Sequence, residues 1–468
     1  MKTNMIFQGE NIQGEATQFS IINPANEQII TQISSASLDQ VGEAIASAVD
    51  AFQQWQHVDD EMINTLFLKI AEDIRLEADE IAQLITLEQG KPLALAQTEV
   101  AASLYWIEYL VGLTIPTETI EEHDGKIIQV FNRPLGVVAS ITPWNWPFMI
   151  AVWHIFPALK AKNCVVNKPS EYTPLSTIKL VEIMNRHLPA GVCNILLGKG
   201  EVGQALAEHP DIEKVVFTGS TATGKNILYS AADTLKSVVL ELGGNDVGIV
   251  LEDVDIQQAA DAIFASSFLN AGQTCASLKR LYVQENVYDL LIEQLVKLCH
   301  QQTLGDGLNS ETTFGPVQNK NQYIKVKALI DDAVSQGGTI ITSPISLPKQ
   351  GYFIAPTLIT NVHEGILLVD EEQFGPVLPI LKFNNIDTVL EQTNKSDFGL
   401  AGSVWSKDIV KAQEIAARMQ TGTVWINSHS DLSPAAVFGG WKHSGQGYSF
   451  GLDGLLLFTQ KQAIHLRQ

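Results

Sequence analysis

From Leu135 onward the sequence alternates two rhythms, and this alternation constrains the fold more than any other feature. Short apolar runs at 137–141, 164–167, 194–197, 215–217 and 238–240 are each followed by a turn signal and a stretch of helical spacing. Such runs lack in–out alternation. Separated by helical segments, they predict parallel strands covered on both faces, as in an α/β fold. The same rhythm resumes after Gly244, so a second α/β unit is expected. The length of 468 residues also exceeds what one core ordinarily serves.

The first third of the chain reads as helical. Ser37-Leu-Asp-Gln40 has the form of a capping box, and Val41, Ile45, Ala48, Phe52 and Trp55 follow at helical spacing. A second helical pattern spans about 60–88 and stops at Gly90-Lys91-Pro92; a third covers about 94–113. Segment 115–132 is polar, β-prone and without helical period. It is expected to form an arm outside the core, paired with short strands at 455–458 and 463–466. From Pro134 to Ala158 there is no Lys, Arg, Asp or Glu, a length that would cross a bilayer. Pro143-Trp-Asn-Trp-Pro147 interrupts it, and the freed backbone groups would be untenable in lipid. A buried strand, a loop and a buried helix are expected instead.

Thirty basic against 52 acidic side chains give a net charge of −22. That field repels nucleic acid and anionic lipid, so neither is an expected partner; solubility accounts for it. The four cysteines, Cys164, Cys193, Cys275 and Cys299, form no CxxC pair, so neither a metal site nor a redox dithiol is expected. The opening residues contain no long apolar run. No secretory signal is read there, and a cytoplasmic protein with reduced thiols is expected.

Four motifs carry possible chemistry. Gly219-Ser-Thr-Ala-Thr-Gly224-Lys225 follows a strand and opens a helix, where backbone N–H groups can hold phosphate. It nearly matches a Walker A loop, but Asn226 replaces the hydroxyl that must reach magnesium, which opposes an NTPase. Cys275 ends a Gly272-Gln-Thr loop in which a thiolate can be exposed to backbone donors; the other three cysteines fit core positions. Glu241 closes an apolar strand before Gly243-Gly244, a costly place for a carboxylate without a role. Asn145 is the lone amide in a loop of tryptophans and prolines and is suited to an oxyanion. On residues alone each has a plainer reading: a tight turn, a small buried thiol, a strand-end charge reaching water, a turn-stabilising amide.

The motifs taken together resemble the aldehyde dehydrogenase superfamily over essentially the whole chain. They are Pro143-Trp-Asn-Trp-Pro147, Asn167-Lys-Pro-Ser-Glu171, Phe217-Thr-Gly-Ser220, Glu241-Leu-Gly-Gly244, Gly272-Gln-Thr-Cys275, Glu371-Glu-Gln-Phe-Gly-Pro376, Gly422-Thr-Val-Trp-Ile-Asn427 and Phe438-Gly-Gly440. Each is short, but their order and spacing are specific. The resemblance implies an α/β fold with a Rossmann-variant cofactor domain at 1–115 and 135–243. It implies an α/β catalytic domain at 244–443, and an arm at 116–134 with C-terminal strands at 444–468 that joins subunits into a homodimer or homotetramer.

It further implies NAD(P)-dependent oxidation of an aldehyde to the carboxylic acid. Cys275 is the implied nucleophile, forming a thiohemiacetal and then a thioester; Asn145 holds the oxyanion, and Glu241 activates the hydrolytic water. Lys168 and Glu171 match the pair at the adenosine ribose, and Gly219 and Ser220 the pyrophosphate turn. Glu372 matches the holder of the nicotinamide ribose, with Phe374, Trp144 and Leu242 lining the cofactor site. Glu171 favours NAD, because a 2′-phosphate would meet a carboxylate, while NADP remains usable. Trp146, Met149, Trp153, Leu269, Leu432 and Phe438 align with the substrate tunnel. All are apolar or aromatic, and semialdehyde-specific relatives often carry arginine where Trp153 stands, so an uncharged aliphatic or aromatic aldehyde is expected.

Two positions depart from the family. His154 follows Trp153 where many relatives carry lysine, and Gly447-Tyr448-Ser449 stands where many carry Gly-Arg-Glu. Without those groups a water chain or His154 is left to relay the proton. The alternatives are a CoA-acylating or semialdehyde dehydrogenase of the same superfamily, opposed by Glu241 and Trp153 respectively, and a non-enzymatic structural relative, opposed by Cys275, Asn145 and Glu241 together.

Overall fold

A computed structural model describes residues 3–467; residues 1, 2 and 468, at the extremes of the expected cofactor domain and C-terminal strands, lie outside the described residues. Two large sheets carry the architecture. The first has eight strands in the order Glu10–Ile12, Met5–Phe7, Cys193–Ile195, Cys164–Lys168, Val137–Ile141, Lys214–Thr218, Ser237–Glu241, Gly445–Gln446. The five central strands are parallel and the flanking ones antiparallel. Val137–Ile141, Cys164–Lys168 and Lys214–Thr218 are buried at every position, as strands roofed by helices on both faces must be. The chain passes outward from Val137–Ile141 through two neighbours, then returns to the other side at Lys214–Thr218. That reversal opens a crevice at the carboxyl ends of the two strands, the usual ligand position in such sheets.

The second sheet has seven strands in the order Thr339–Ile340, Thr357–Thr360, Val377–Phe383, Leu278–Gln284, Asp246–Val250, Ala401–Trp405, Thr423–Ile426, all parallel except the first. A third sheet stands apart. Thr459–Arg467 pairs with Lys126–Pro134 in unbroken register from Thr459–Pro134 to Arg467–Lys126, and Glu118–His123 covers the other edge.

The capping box at Ser37 is present, opening Leu38–Trp55. The pattern at 60–88 resolves into two helices, Asp60–Leu76 and Ala78–Gln89, broken at Glu77, whose carboxylate pairs with Lys179 and Arg186. Gly90, at φ 96°, ends the second; a Cβ there would lie 2.7 Å from Pro24 and 2.8 Å from Pro316. The uncharged stretch is the expected strand, loop and helix, the last spanning Pro147–Lys160. No helix among the described residues is long and apolar enough to cross a membrane. One expectation fails. Segment 455–458 is not a strand but the end of helix Gly451–Leu456 and the turn after it, because Leu455 and Phe458 both bury in the core of the first sheet.

Candidate active site

The Asn145 loop leaves the carboxyl end of Val137–Ile141 and enters helix Pro147–Lys160, with proline at its first turn. Two residues from the amino-terminal region fix it, Lys91 between helices Ala78–Gln89 and Leu93–Val111 and Glu99 on the latter. Glu99 Oε1 accepts from the N–H groups of Phe148 (3.0 Å) and Met149 (3.1 Å), satisfying that helix start. Glu99 Oε2 pairs with Lys91 Nζ at 2.6 Å, and Lys91 also donates to the Asn145 carbonyl at 3.0 Å and lies 3.5 Å over the Trp146 ring. Burial holds Lys91 down at about 8 against the attraction of Glu99. The Asn145 side chain donates Nδ2–H to the Gln273 carbonyl at 3.0 Å.

That carbonyl belongs to the Cys275 loop. After helix Ile256–Phe268 the backbone turns through three consecutive left-handed residues, Asn270 (φ 51°), Ala271 (54°) and Gly272 (72°). Gly272 is required there, since a Cβ would meet the Gly375 carbonyl oxygen at 2.3 Å. Strain of this kind persists only where surroundings enforce it. Here Gln273, fully buried, bonds Asn270 O, Pro316 O and the Gln318 N–H, while Trp146 Nε1 donates to Thr274 Oγ1 at 3.0 Å. Cys275 is partly exposed, whereas Cys164, Cys193 and Cys299 are buried, as their sequence contexts predict. Burial pushes the Cys275 thiol up to about 12; Lys279 pulls it down, and Glu241 and Asp246 push it up further.

Glu241 ends its strand beside Thr218 at the same crevice. Burial raises its carboxyl well above the ordinary range. Oε1 accepts from Ser449 Oγ at 3.3 Å, and Oε2 is buried without a partner among the described residues. Ser449 is locked next to Phe438 by reciprocal backbone bonds of 2.7 and 2.9 Å. The position read from sequence as a missing relay therefore supplies the one hydroxyl on the base. His154 does not take that part. Its ring nitrogens are engaged by Ser140 (3.3 Å) and Thr218 (2.9 Å), and burial lowers it to about 3, so it is a neutral core residue that does not bond Glu241.

The expected cofactor residues line the crevice outward from Glu241. Glu372 Oε1 accepts from Lys279 (2.9 Å) and the Gly244 N–H (3.1 Å). A Cβ on Gly243 would lie 2.2 Å from Glu372 Oε2, so the glycine keeps open a cradle in which that carboxylate faces the crevice. Phe374 meets Trp144 edge-on at 5.2 Å. Leu242 packs under Gly224, where a Cβ would lie 2.6 Å from it. Gly219 donates to the Glu241 carbonyl at 3.0 Å, and the exposed Ser220 caps helix Thr221–Ala232 by accepting from Thr223 N–H. Farther out, Lys168 Nζ bonds the Pro169 carbonyl and stands 3.9 Å from the partly exposed Glu171. Two facing carboxylates, a glycine-bared floor and a helix start fit a dinucleotide with two ribose hydroxyl pairs and a pyrophosphate.

On the other side of Cys275 the wall is apolar. Cys275, Leu432, Trp425 and Phe450 all pack against one small buried cluster of Ala276, Leu400 and Phe438. Trp153 meets Phe450 at 4.8 Å and Trp106 at 5.4 Å, and Phe438 stacks on Phe450 at 6.1 Å. Trp146 is held in the Asn145 loop, while Met149 and Leu269 are half-buried at the starts of their turns. Sequence reading missed Lys91, Glu99, Gln273 and Lys279. Lys91 looked like part of a helix stop and Lys279 like an ordinary strand charge.

The model of the aldehyde dehydrogenase family matches residues 12–464. The chain is 37% identical to betaine aldehyde dehydrogenase of Bacillus subtilis over 99% of this chain and 97% of the other. It is 36% identical to phenylacetaldehyde dehydrogenase of Pseudomonas fluorescens over 97% and 93%. An NAD+ complex of aldehyde dehydrogenase from Bacillus cereus superposes with a TM-score of 0.97 at 33% identity, covering 100% of this chain and 97% of that one. With family model, relatives and fold in agreement, the chain belongs to the aldehyde dehydrogenase family and is an NAD(P)-dependent aldehyde dehydrogenase.

Proposed function

We propose that this enzyme oxidises an uncharged aliphatic or aromatic aldehyde to the carboxylic acid through a thioester on Cys275. Cys275 adds as the thiolate, its proton already lost, so that its negative charge passes to the carbonyl oxygen as the C–S bond forms. Asn145 carries the reading. Its amide nitrogen has two N–H groups, one spent on the Gln273 carbonyl, and the other remains to meet an oxyanion beside Cys275. When bound, the nicotinamide supplies a hydride acceptor. Glu372 would hold its ribose, with Phe374, Trp144 and Leu242 lining the site; Gly219 and Ser220 would receive the pyrophosphate, and Lys168 and Glu171 the adenosine ribose. Loss of hydride leaves the thioester. Glu241 then removes a proton from water as it adds to the acyl carbon, the C–S bond breaks, and Cys275 leaves as thiolate. Ser449, donating to Glu241, steadies the ionised base.

The wall of Trp146, Met149, Trp153, Leu269, Leu432 and Phe438 supports the substrate class. An unpaired charge there would be costly, and the aromatic rings pack on one another, Trp153 edge to face with Phe450 and tilted against Trp106, rather than framing an open cage for a cation. The same reading assigns cofactor binding to 1–115 and 135–243 and catalysis to 244–443; residues 445–458, expected with the subunit arm, instead pack on the first sheet. Subunit contact runs through 116–134 and the last strand, whose open edges suit extension by a second copy. The experiment is a panel of hexanal, benzaldehyde, succinate semialdehyde and betaine aldehyde, with and without CoA, on wild type and Cys275→Ala. The uncharged aldehydes are expected to lead in kcat/KM without CoA, and the variant to lose several orders of magnitude. A lead by either charged aldehyde overturns the substrate class; retained activity in Cys275→Ala overturns the thioester.

A further inference from the structure

Lys279 is a buried lysine one helical turn's worth of sequence beyond Cys275, at the start of strand Leu278–Gln284. Its ammonium touches three things. It donates to the backbone carbonyl of Cys275, it pairs with Glu372 Oε1 at 2.9 Å, and it lies 5.7 Å from the Phe374 ring. A buried ammonium is costly unless paired and bonded, and both partners here are site elements from distant parts of the chain. Glu372 is itself held by the Gly244 N–H and by Lys325, which donates to its backbone carbonyl.

We propose that Lys279 is a positioning residue that ties the nucleophile's backbone to the cofactor-ribose carboxylate, so that the two are set as one unit. The proposal rests on the reading of Cys275 as nucleophile and Glu372 as ribose holder. It has an electrostatic side and a geometric side. The charged groups around Cys275 are Glu241 at the end of its strand, Asp246 on the strand paired with that of Lys279, with His429 3.6 Å from it, and Lys279 itself. Arg280 faces away to the Asn245 carbonyl. Among the described residues Lys279 is therefore the one cation set against two carboxylates at Cys275, and it favours the thiolate. Geometrically, Lys279 and Gly244 both bind Oε1, which fixes Glu372 with Oε2 above Gly243, free to accept ribose hydroxyls.

The test compares Lys279→Met, Lys279→Arg, Glu372→Gln and the double variant Lys279→Met/Glu372→Gln. Two readouts avoid turnover: the iodoacetamide alkylation rate of Cys275 in cofactor-free enzyme from neutral to alkaline pH, with the site located by mass spectrometry, and the NAD dissociation constant by calorimetry. Lys279→Met is expected to alkylate about tenfold more slowly at a given pH and to bind NAD about tenfold more weakly. Glu372→Gln is expected to weaken NAD similarly but to alkylate faster than wild type, because the ammonium loses its neutralising partner. The double variant should follow Lys279→Met in alkylation, and Lys279→Arg should stay near wild type. A merely structural lysine would leave Glu372→Gln without effect on alkylation, and that result, or wild-type behaviour of Lys279→Met in either readout, overturns the proposal. If alkylation of Cys275 in wild type leaves aldehyde oxidation intact, the nucleophile reading fails instead.

Discussion

Lys91–Glu99 and Lys279–Glu372 use the same two residue types, one bonded to the Asn145 carbonyl and the other to the Cys275 carbonyl, and they are built differently. In the first pair both side chains are fully buried. Glu99 spends one oxygen on two helix N–H groups and the other on Lys91, and Lys91 adds a carbonyl and a ring. In the second pair the lysine is buried but the carboxylate is 17% exposed, with its bonds gathered on Oε1. A third pair, Lys168–Glu171, is looser still at 3.9 Å with Glu171 31% exposed. A closed pair serves as scaffold; a pair left unfinished on its acidic side offers acceptors to a ligand.

Breaking the closed pair should have the largest effect. Lys91→Met strands a buried carboxylate, and loss of one partner of such a pair costs about 3–5 kcal/mol. The denaturation midpoint should fall accordingly, and aldehyde oxidation with it, since the Asn145 carbonyl loses one of its two donors and keeps only Asn270 Nδ2. Lys279→Met should cost no more than about 2 kcal/mol, because Glu372 reaches water. Equal losses in the two variants would erase the distinction between scaffold and seat.

The loosest pair should govern cofactor choice. With Glu171 facing the ribose, NAD should exceed NADP by roughly one to two orders of magnitude in kcat/KM, about 1.4–2.8 kcal/mol. Glu171→Ser should narrow that gap by about tenfold by removing the repulsion of a 2′-phosphate. Equal use of both cofactors by the wild type would show that Glu171 does not face the ribose.

Glu241 has no lysine at all, and this should appear in the pH profile. Burial raises its carboxyl, and a general base acts only when ionised. Thioester hydrolysis should therefore climb with pH across the range in which Glu241 loses its proton. Ser449→Ala removes the donor that favours the ionised form, so the climb should move to higher pH by about half a unit, a rate loss of about threefold at fixed pH below it. A single-turnover measurement of the hydrolytic phase reads this directly. An unmoved or lowered profile would detach Ser449 from the base.

What was legible in the sequence was what local pattern encodes. Alternating strands and helices, the stop at Gly90, the loop before Cys275 and the odd amide in the Pro143–Pro147 loop all declare themselves within a few residues. The three lysine pairs divide the same way. Lys168 and Glu171 are three residues apart and were read together, whereas Lys279 and Glu372 lie on different strands and loops and meet only in three dimensions. Lys91 hid inside a helix stop because its partner, though only eight residues away, sits on the next helix. Segment 455–458 misled because four apolar residues carry no period, and only the core beneath Leu455 and Phe458 decides for helix.

The edge strand Gly445–Gln446 and the helix behind it also bear on how the chain is made. The first sheet cannot close against Ser237–Glu241 until a segment translated roughly 200 residues later arrives, about 10–40 s at ordinary ribosomal speed. Every strand of the second sheet lies between residues 246 and 426, so that half is wholly translated while the first still presents the bare edge of Glu241's strand. The half that is begun first is thus the last to finish. During that interval an apolar edge, where a second chain can pair, stands exposed on the ribosome.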